Sequence, residues 1–193
     1  MNKSEKQNIE FFNKLSPIWE NDSENVFSYL LDRIGIKKTD RILDVGCGHG
    51  VITNYLCNRT DETVTGLDIS DEMIKDAIEL HKGKNVRYIC DSFYNFDDGK
   101  YDLIIIYNAY PHFIDRESFK KSLHNLLCDN GRFVICHSLS RKRLEGHHSG
   151  LNTDLSRNLE DVENESSFYS DLFKIELKEE DDNSYMIIGR KNA

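Results

Sequence analysis

The chain is short of positive charge. Its 193 residues carry 25 Lys and Arg against 34 Asp and Glu, for a formal net charge of −9. Affinity for a nucleic-acid backbone comes from neutralising phosphates with a basic surface, so this balance disfavours DNA or RNA as the main partner. Anionic membranes are disfavoured for the same reason. No apolar run is long enough to span a bilayer, and residues 1–10 are polar, without the apolar centre of a signal peptide. The expectation is a cytoplasmic chain. No two of the five cysteines form a C-x-x-C pair, so a zinc ribbon or thioredoxin-like centre is unsupported. Most sit inside apolar segments, as small buried hydrophobes do, and the reading is reduced structural thiols in a cytoplasm. There are only two prolines, Pro17 and Pro111, and no linker-like stretch or internal repeat. With 38% hydrophobic residues, the expectation is a single domain over residues 1–193 with one sizeable core.

What the chain does have is an alternation of short apolar runs with helical stretches. Residues 9–31 read as helical and bear Phe11, Phe12, Trp19, Phe27 and Tyr29. Strands are predicted at 41–45, 63–68, 86–90, 101–107 and 132–136. The fourth contains Leu-Ile-Ile-Ile, apolar on both faces as a central parallel strand requires. Helices are predicted at 51–57, after Ser70, at 117–127 and at 159–172, with a turn at Asn130-Gly131. Residues 138–158 are polar and give no clear period. Residues 173–177 and 185–189 flank an acidic turn and read as a closing antiparallel hairpin. Together these predict a doubly wound α/β sheet.

The most specific signal is the run DVGCGHG from Asp44 to Gly50, directly after the first strand and before a helix. Its glycines allow a tight turn and close approach of backbone to a ligand, at the carboxyl edge where such sheets bind ligands. The dinucleotide fingerprint fails at Val51, and no Gly-Lys-Ser/Thr follows for a P-loop. Asp68 ends the second strand, where an acid can accept from both ribose hydroxyls. Asp91, with Ser92 and Phe93, follows the third, where a carboxylate and an apolar face suit an adenine ring. Each acid taken alone could be a strand-end cap or a solvated turn; three at successive strand ends beside a glycine loop are hard to explain that way.

These residues resemble the class I S-adenosylmethionine-dependent methyltransferases: ILDVGCGHG, then LDIS, then DSF, then YDLIII, across residues 9–137. The resemblance implies a Rossmann-like seven-stranded sheet with an antiparallel last strand and S-adenosylmethionine as cofactor. It implies that Gly46, Gly48 and Gly50 pass beneath the methionyl part, that Asp68 with Ile69 holds the ribose, and that Asp91, Ser92 and Phe93 meet the adenine. Asp44 would help hold the loop and the methionyl amino group. His49 departs from the family's usual small or acidic residue and is expected to point away from the ligand.

The acceptor side lies beyond the fourth strand, where the chain reads NAYPHF from Asn108 to Phe113. The N-P-P-Y or D-P-P-Y of enzymes that methylate nucleobase amines is absent, and so are the acids that an aminopropyl transferase needs. Asn108 is expected to face the sulfonium and the acceptor. His112 and His137 are candidates to border the acceptor pocket, His112 as a general base; His112 could equally be a loop histidine bonded to a backbone carbonyl. With His147 and His148 a metal site is conceivable, though the spacing fits no ligand motif. Arg141-Lys142-Arg143 is either a solvated helix face or an anchor for an anionic acceptor group. Residues 1–31 resemble the helical lid of small-molecule methyltransferases, with a permanently packed helix as the alternative; residues 138–172 read as an acceptor-side insertion. The expected activity is methyl transfer to a small molecule. The competing reading is a non-catalytic S-adenosylmethionine-binding regulatory module.

Overall fold

Seven strands form one sheet in the computed structural model, which describes residues 2–83, 85–148 and 155–192, the side chains of 145–148 excepted. They are β1 (Ile42–Val45), β2 (Val64–Asp68), β3 (Val86–Cys90), β4 (Tyr101–Tyr107), β5 (Leu127–His137), β6 (Phe173–Glu180) and β7 (Tyr185–Lys191). Their order is β3-β2-β1-β4-β5-β7-β6. The first five pair in parallel, and β7 runs antiparallel between β5 and β6. This is the predicted doubly wound, Rossmann-like architecture. Alternate residues of the central strands feed two cores, one on each face. Leu43, Ile104, Ile106, Phe133 and Ile135 pack on one side, and Ile42, Leu103, Ile105 and Val134 on the other.

The helices are α1 (Lys3–Leu15), α2 (Glu24–Leu31), α3 (Val51–Leu56), α4 (Asp71–Leu80), α5 (Arg116–Leu126), α6 (Arg141–His148) and α7 (Val162–Ser167). The expected helix over 9–31 is two helices. The first begins earlier because Asn2 and Glu5 form a reciprocal capping box. It gives way to a 3-10 turn at Ser16–Ile18, where Pro17 lacks the N–H needed to continue. The predicted turn at Asn130-Gly131 lies inside β5: Asn130 takes a left-handed φ of 61°, and the β4–β5 register shifts nearby. The helix expected over 159–172 shortens to α7, capped by Asp161 and followed by turns. Among the described residues no helix is long and apolar enough to cross a membrane.

Candidate active site at the carboxyl edge of the sheet

β1 ends at Val45, and the backbone must reverse into α3 within a few residues. Gly46 does so at φ 73°, with so little room that a Cβ there would lie 2.5 Å from the Ala109 Cβ. Gly50 caps α3 at φ 77°, and a Cβ there would lie 2.5 Å from the Tyr88 hydroxyl oxygen. The loop is fastened to β2 by Gly46 N–H donating to Leu67 O (2.8 Å) and Gly48 N–H donating to Asp68 Oδ2 (2.9 Å). Asp68 Oδ1 accepts from Ser70 N–H (2.9 Å), which fixes the carboxylate between the loop and the start of α4. Burial pushes the Asp68 pKa above the ordinary carboxylate value, against those backbone bonds.

Asp44 lies beneath the loop, 1% exposed. It accepts a hydrogen bond from the Thr53 hydroxyl (2.6 Å). Burial pushes its pKa up to about 7; the nearby Asp68 adds to the rise and Thr53 opposes it. Asp91 follows β3 and accepts from Ser92 N–H (2.7 Å). The Ser92 hydroxyl donates across to Glu5 on α1.

These elements enclose a cavity of ≈180 Å³ beneath α1. Asp44, Gly46, Gly48, Asp68 and Ile69 form its wall on the β1–β2 side. Asp91, Ser92 and Phe93 close one end, and Asn108 and His112 stand beyond β4. Two predicted residues are outside the wall. Gly50 is taken up by helix capping and by packing on Tyr88. His137 is a correction: β5 pairs with β7 as far as His137 opposite Tyr185, so its ring is fully buried against Tyr185 rather than bordering the cleft. His147 and His148 have side chains outside those described. Arg141 pairs with Glu180 (3.2 Å), and neither it, Lys142 nor Arg143 reaches the wall. His49 is absent from the wall too, its Nε2 3.0 Å from the Ser16 hydroxyl.

Asn108 is more tightly held than the motif suggests. Its Nδ2 donates to Asp22 Oδ2 and to the Ser138 hydroxyl, both at 2.9 Å. Its Oδ1 accepts from Ser138 N–H (2.9 Å), so the side chain ties the ends of β4 and β5 to the N-terminal segment. His112 combines both sequence readings: it lies in the cavity wall, and its Nδ1 is 2.9 Å from Leu155 O. A carbonyl only accepts, so Nδ1 carries the proton and Nε2 is the basic nitrogen. Phe12 of α1 meets the imidazole edge-on, ring centroids 4.9 Å apart.

Sequence reasoning missed Glu5, Asn8, Asp22 and Tyr107, all in the wall. Asn8 is 5% exposed, and its amide oxygen meets no hydrogen-bond donor among the described residues. Glu5, Asn8 and Phe12 share a face of α1 at spacings of three and four. That polar face was the available signal.

Besides its carboxylate, S-adenosylmethionine presents three kinds of donor: a ribose diol, an amino group and an adenine amine. The wall offers acceptors to match: Asp44, Asp68, Asp91 and the unmatched Asn8 oxygen. The group therefore fits the residues present.

Residues 43–135 match the family described as "Methyltransferase domain". Tocopherol O-methyltransferase of Arabidopsis thaliana is 28% identical over 58% of this chain and 34% of its own length. The chain spans between 34% and 65% of the length of the curated relatives it matches first. Among solved structures, a chain of the complex with the Haloferax volcanii Trm112 methyltransferase activator superposes with a TM-score of 0.80 over 97% of both chains at 14% identity. N-methyltransferase NodS from Bradyrhizobium japonicum in complex with S-adenosyl-L-homocysteine gives 0.72 over 96% of this chain and 99% of its own, at 13% identity. Both share the fold. Residues 43–135 form a methyltransferase domain, and sequence and fold together support a class I S-adenosylmethionine-dependent methyltransferase with S-adenosylmethionine as its cofactor.

Proposed function

We propose that this chain transfers the methyl group of S-adenosylmethionine to a small-molecule acceptor. The observation that carries this reading is one cavity whose wall joins the glycine loop, Asp68 and Asp91 to Asn108 and His112 under a single helix. When bound, S-adenosylmethionine supplies a methyl group already activated by its sulfonium. The chain's task is then to align, shield and deprotonate. In this reading Asp68 holds the ribose, and Asp91, Ser92, Phe93 and Asn8 hold the adenine. Asp44 supports the loop and the amino group. His112 Nε2 takes a proton when the acceptor arrives protonated. Phe12 and α1 keep water from the reacting atoms. A small acceptor is supported by the size of the cavity, ≈180 Å³, and by the name of the tocopherol-methylating relative.

Calorimetry and S-adenosylhomocysteine release test the reading together. Asp68→Ala is expected to weaken cofactor binding by about 1–3 kcal/mol, the scale of hydrogen bonds to a charged acceptor. Unchanged affinity would remove the ribose assignment. The shared fold of the Trm112-complex chain favours a second reading, in which turnover needs an activator protein. Turnover by the isolated chain excludes it.

A further inference from the structure

The cleft carries charge of one sign. Among the described residues, the permanently ionisable side chains of its wall are carboxylates, and neither Lys nor Arg contributes. Asp44, Asp68 and Asp91 stand at strand ends against the cofactor's own donors, and Glu5 is engaged by Ser92. Glu20 and Asp22 have no such assignment. They sit between the 3-10 turn and α2, with Asp22 beside the end of β4, three strands from Asp91 in the sheet order. Asp22 is fixed in place: the Tyr107 hydroxyl (2.5 Å) and the Asn108 Nδ2 (2.9 Å) both donate to its Oδ2. Its Oδ1 takes no hydrogen bond among the described residues. A second, shallower hollow shares Asp22, Phe27 and Val51 with the cleft and adds Glu24, again without Lys or Arg.

Aromatic rings accompany these acids. Phe12, Trp19 and Tyr107 also line the cleft; the Tyr107 hydroxyl meets Asp22, and Phe12 and Trp19 pack edge to face, ring centroids 6.1 Å apart. A carboxylate oxygen in a cleft that also bears aromatic rings suits an ammonium, through charge-assisted hydrogen bonds and the negative face of a ring. At this end of the cleft, Glu20 and Asp22 disfavour an acceptor that carries a carboxylate or phosphate. The cations that could have anchored such an anion, Arg141 to Arg143, are not in it.

We propose that the acceptor is an amine, drawn in as a cation and held at Asp22; this rests on the methyl-transfer reading above. The accepting nitrogen gives one proton to a base, for which His112 Nε2 is the candidate in the wall. Its lone pair then forms the N–C bond to the methyl carbon, as the C–S bond breaks and its electron pair stays on sulfur. Positive charge passes from sulfur to nitrogen. A carboxylate fixed beside that nitrogen stabilises the charge as it arrives, without having to reorganise.

The test uses the full chain with S-adenosylmethionine and five probes: benzylamine, butane-1,4-diamine, benzyl alcohol, benzyl mercaptan and benzoate. Product is read as S-adenosylhomocysteine release and as a methyl added on nitrogen by mass spectrometry. The amines are expected to turn over and benzoate to stay inert. Asp22→Asn is expected to raise the amine KM by about tenfold or more, as loss of one charge-assisted contact does. Its cofactor affinity should stay within about twofold, since Asp22 is assigned to the acceptor and not to the cofactor. Asp22→Glu should restore part of the KM. Turnover confined to the alcohol, thiol or benzoate overturns the proposal. So does a chain that binds the cofactor yet methylates neither amine, or a folded Asp22→Asn with an unmoved amine KM. A chain that does not bind S-adenosylmethionine at all refutes the underlying reading instead.

Discussion

Asp44 is the residue at which the chemistry of the cleft acts against the stability of the chain. A fully buried carboxylate loses hydration that one hydroxyl donor does not replace, and its pKa rises from 3.8 to about 7. The folded chain therefore favours the protonated form. That contribution to stability is complete below about pH 4 and is lost as pH rises through about 7. Stability of the cofactor-free protein is expected to fall across this window, and Asp44→Asn should flatten the dependence in urea midpoints measured against pH. A cationic amino group arriving at Asp44 reverses its preference. Binding S-adenosylmethionine at pH 7 should then release a fraction of a proton, up to about half. Calorimetry in phosphate and in Tris buffers measures it, and an identical observed enthalpy in the two buffers would remove the cation from Asp44. Asp44, Asp68 and Asp91 were legible in the sequence because chain order alone puts strand ends at the ligand edge. Asp22 was not, and Asn8 only as one member of a polar helix face: what each meets depends on where the N-terminal segment lands on the sheet.

At the scale of elements, the N-terminal segment divides by the way it is held. α1 buries only Glu5 and Asn8, and its outer fastenings are polar. Asn13 Nδ2 donates to Asp71 (2.8 Å), the Ser70 hydroxyl donates to Asn13 (2.6 Å), and the Ser16 hydroxyl donates to Asp76 (2.6 Å). Such bonds exchange readily with water and contribute about 0.5–1.5 kcal/mol each. α2 is different: Phe27, Leu30 and Leu31 are core residues, Phe27 against Tyr55. Burial of each stabilises by about 1.5–3 kcal/mol, a large share of a total of about 5–15 kcal/mol. A chain starting at residue 21 is expected to unfold cooperatively on heating but to bind cofactor weakly and turn over poorly. A chain starting at residue 32 should not fold. Failure of the first to fold would make α1 part of the core and end the lid reading. The aromatic pattern of 9–31 was visible in sequence, but it merged a helix fastened by polar bonds with a core helix, because residues on both carry the same period and only Pro17 marks the break. β5 was shortened for a similar reason: Asn130-Gly131 reads as a hairpin turn, and the left-handed φ that favours it was absorbed within the strand.

Across the whole molecule, the sheet edge that forms the cleft is tied to the C-terminal third through one buried carboxylate. Glu165 of α7 is fully buried. Arg157 donates to both its oxygens (3.0 and 3.1 Å), and the Arg116 Nη2 of α5 lies 2.8 Å away. The Tyr110 hydroxyl, from the turn after β4, donates to Oε1 (2.5 Å). The Arg157 guanidinium lies 4.5 Å from the centre of the Tyr110 ring, and its backbone N–H donates to Pro111 O (2.9 Å). His112 follows directly and reaches Leu155 O, so the loop that bears the candidate base is braced from behind by this network. Assembling it costs the desolvation of three ions, so it is weak evidence of net stabilisation; removing Glu165 is another matter, since Arg157 then stays largely buried without its carboxylate, while Arg116 keeps Glu160. Glu165→Ala is expected to destabilise by about 3–5 kcal/mol, as breaking other buried ion pairs does. The guanidinium midpoint should fall at unchanged m if the fold is retained. Replacing Glu165 with Gln keeps the shape and one acceptor, and should cost less. If the network also sets His112, the Gln variant will lose kcat while its S-adenosylmethionine affinity stays near that of the parent, because the residues proposed to hold the cofactor, Asp68 and Asp91, follow strands on the other side of β4. Equal losses in both would reduce Glu165 to a structural residue, and a midpoint unmoved by Ala would mean that the buried charges had found other partners.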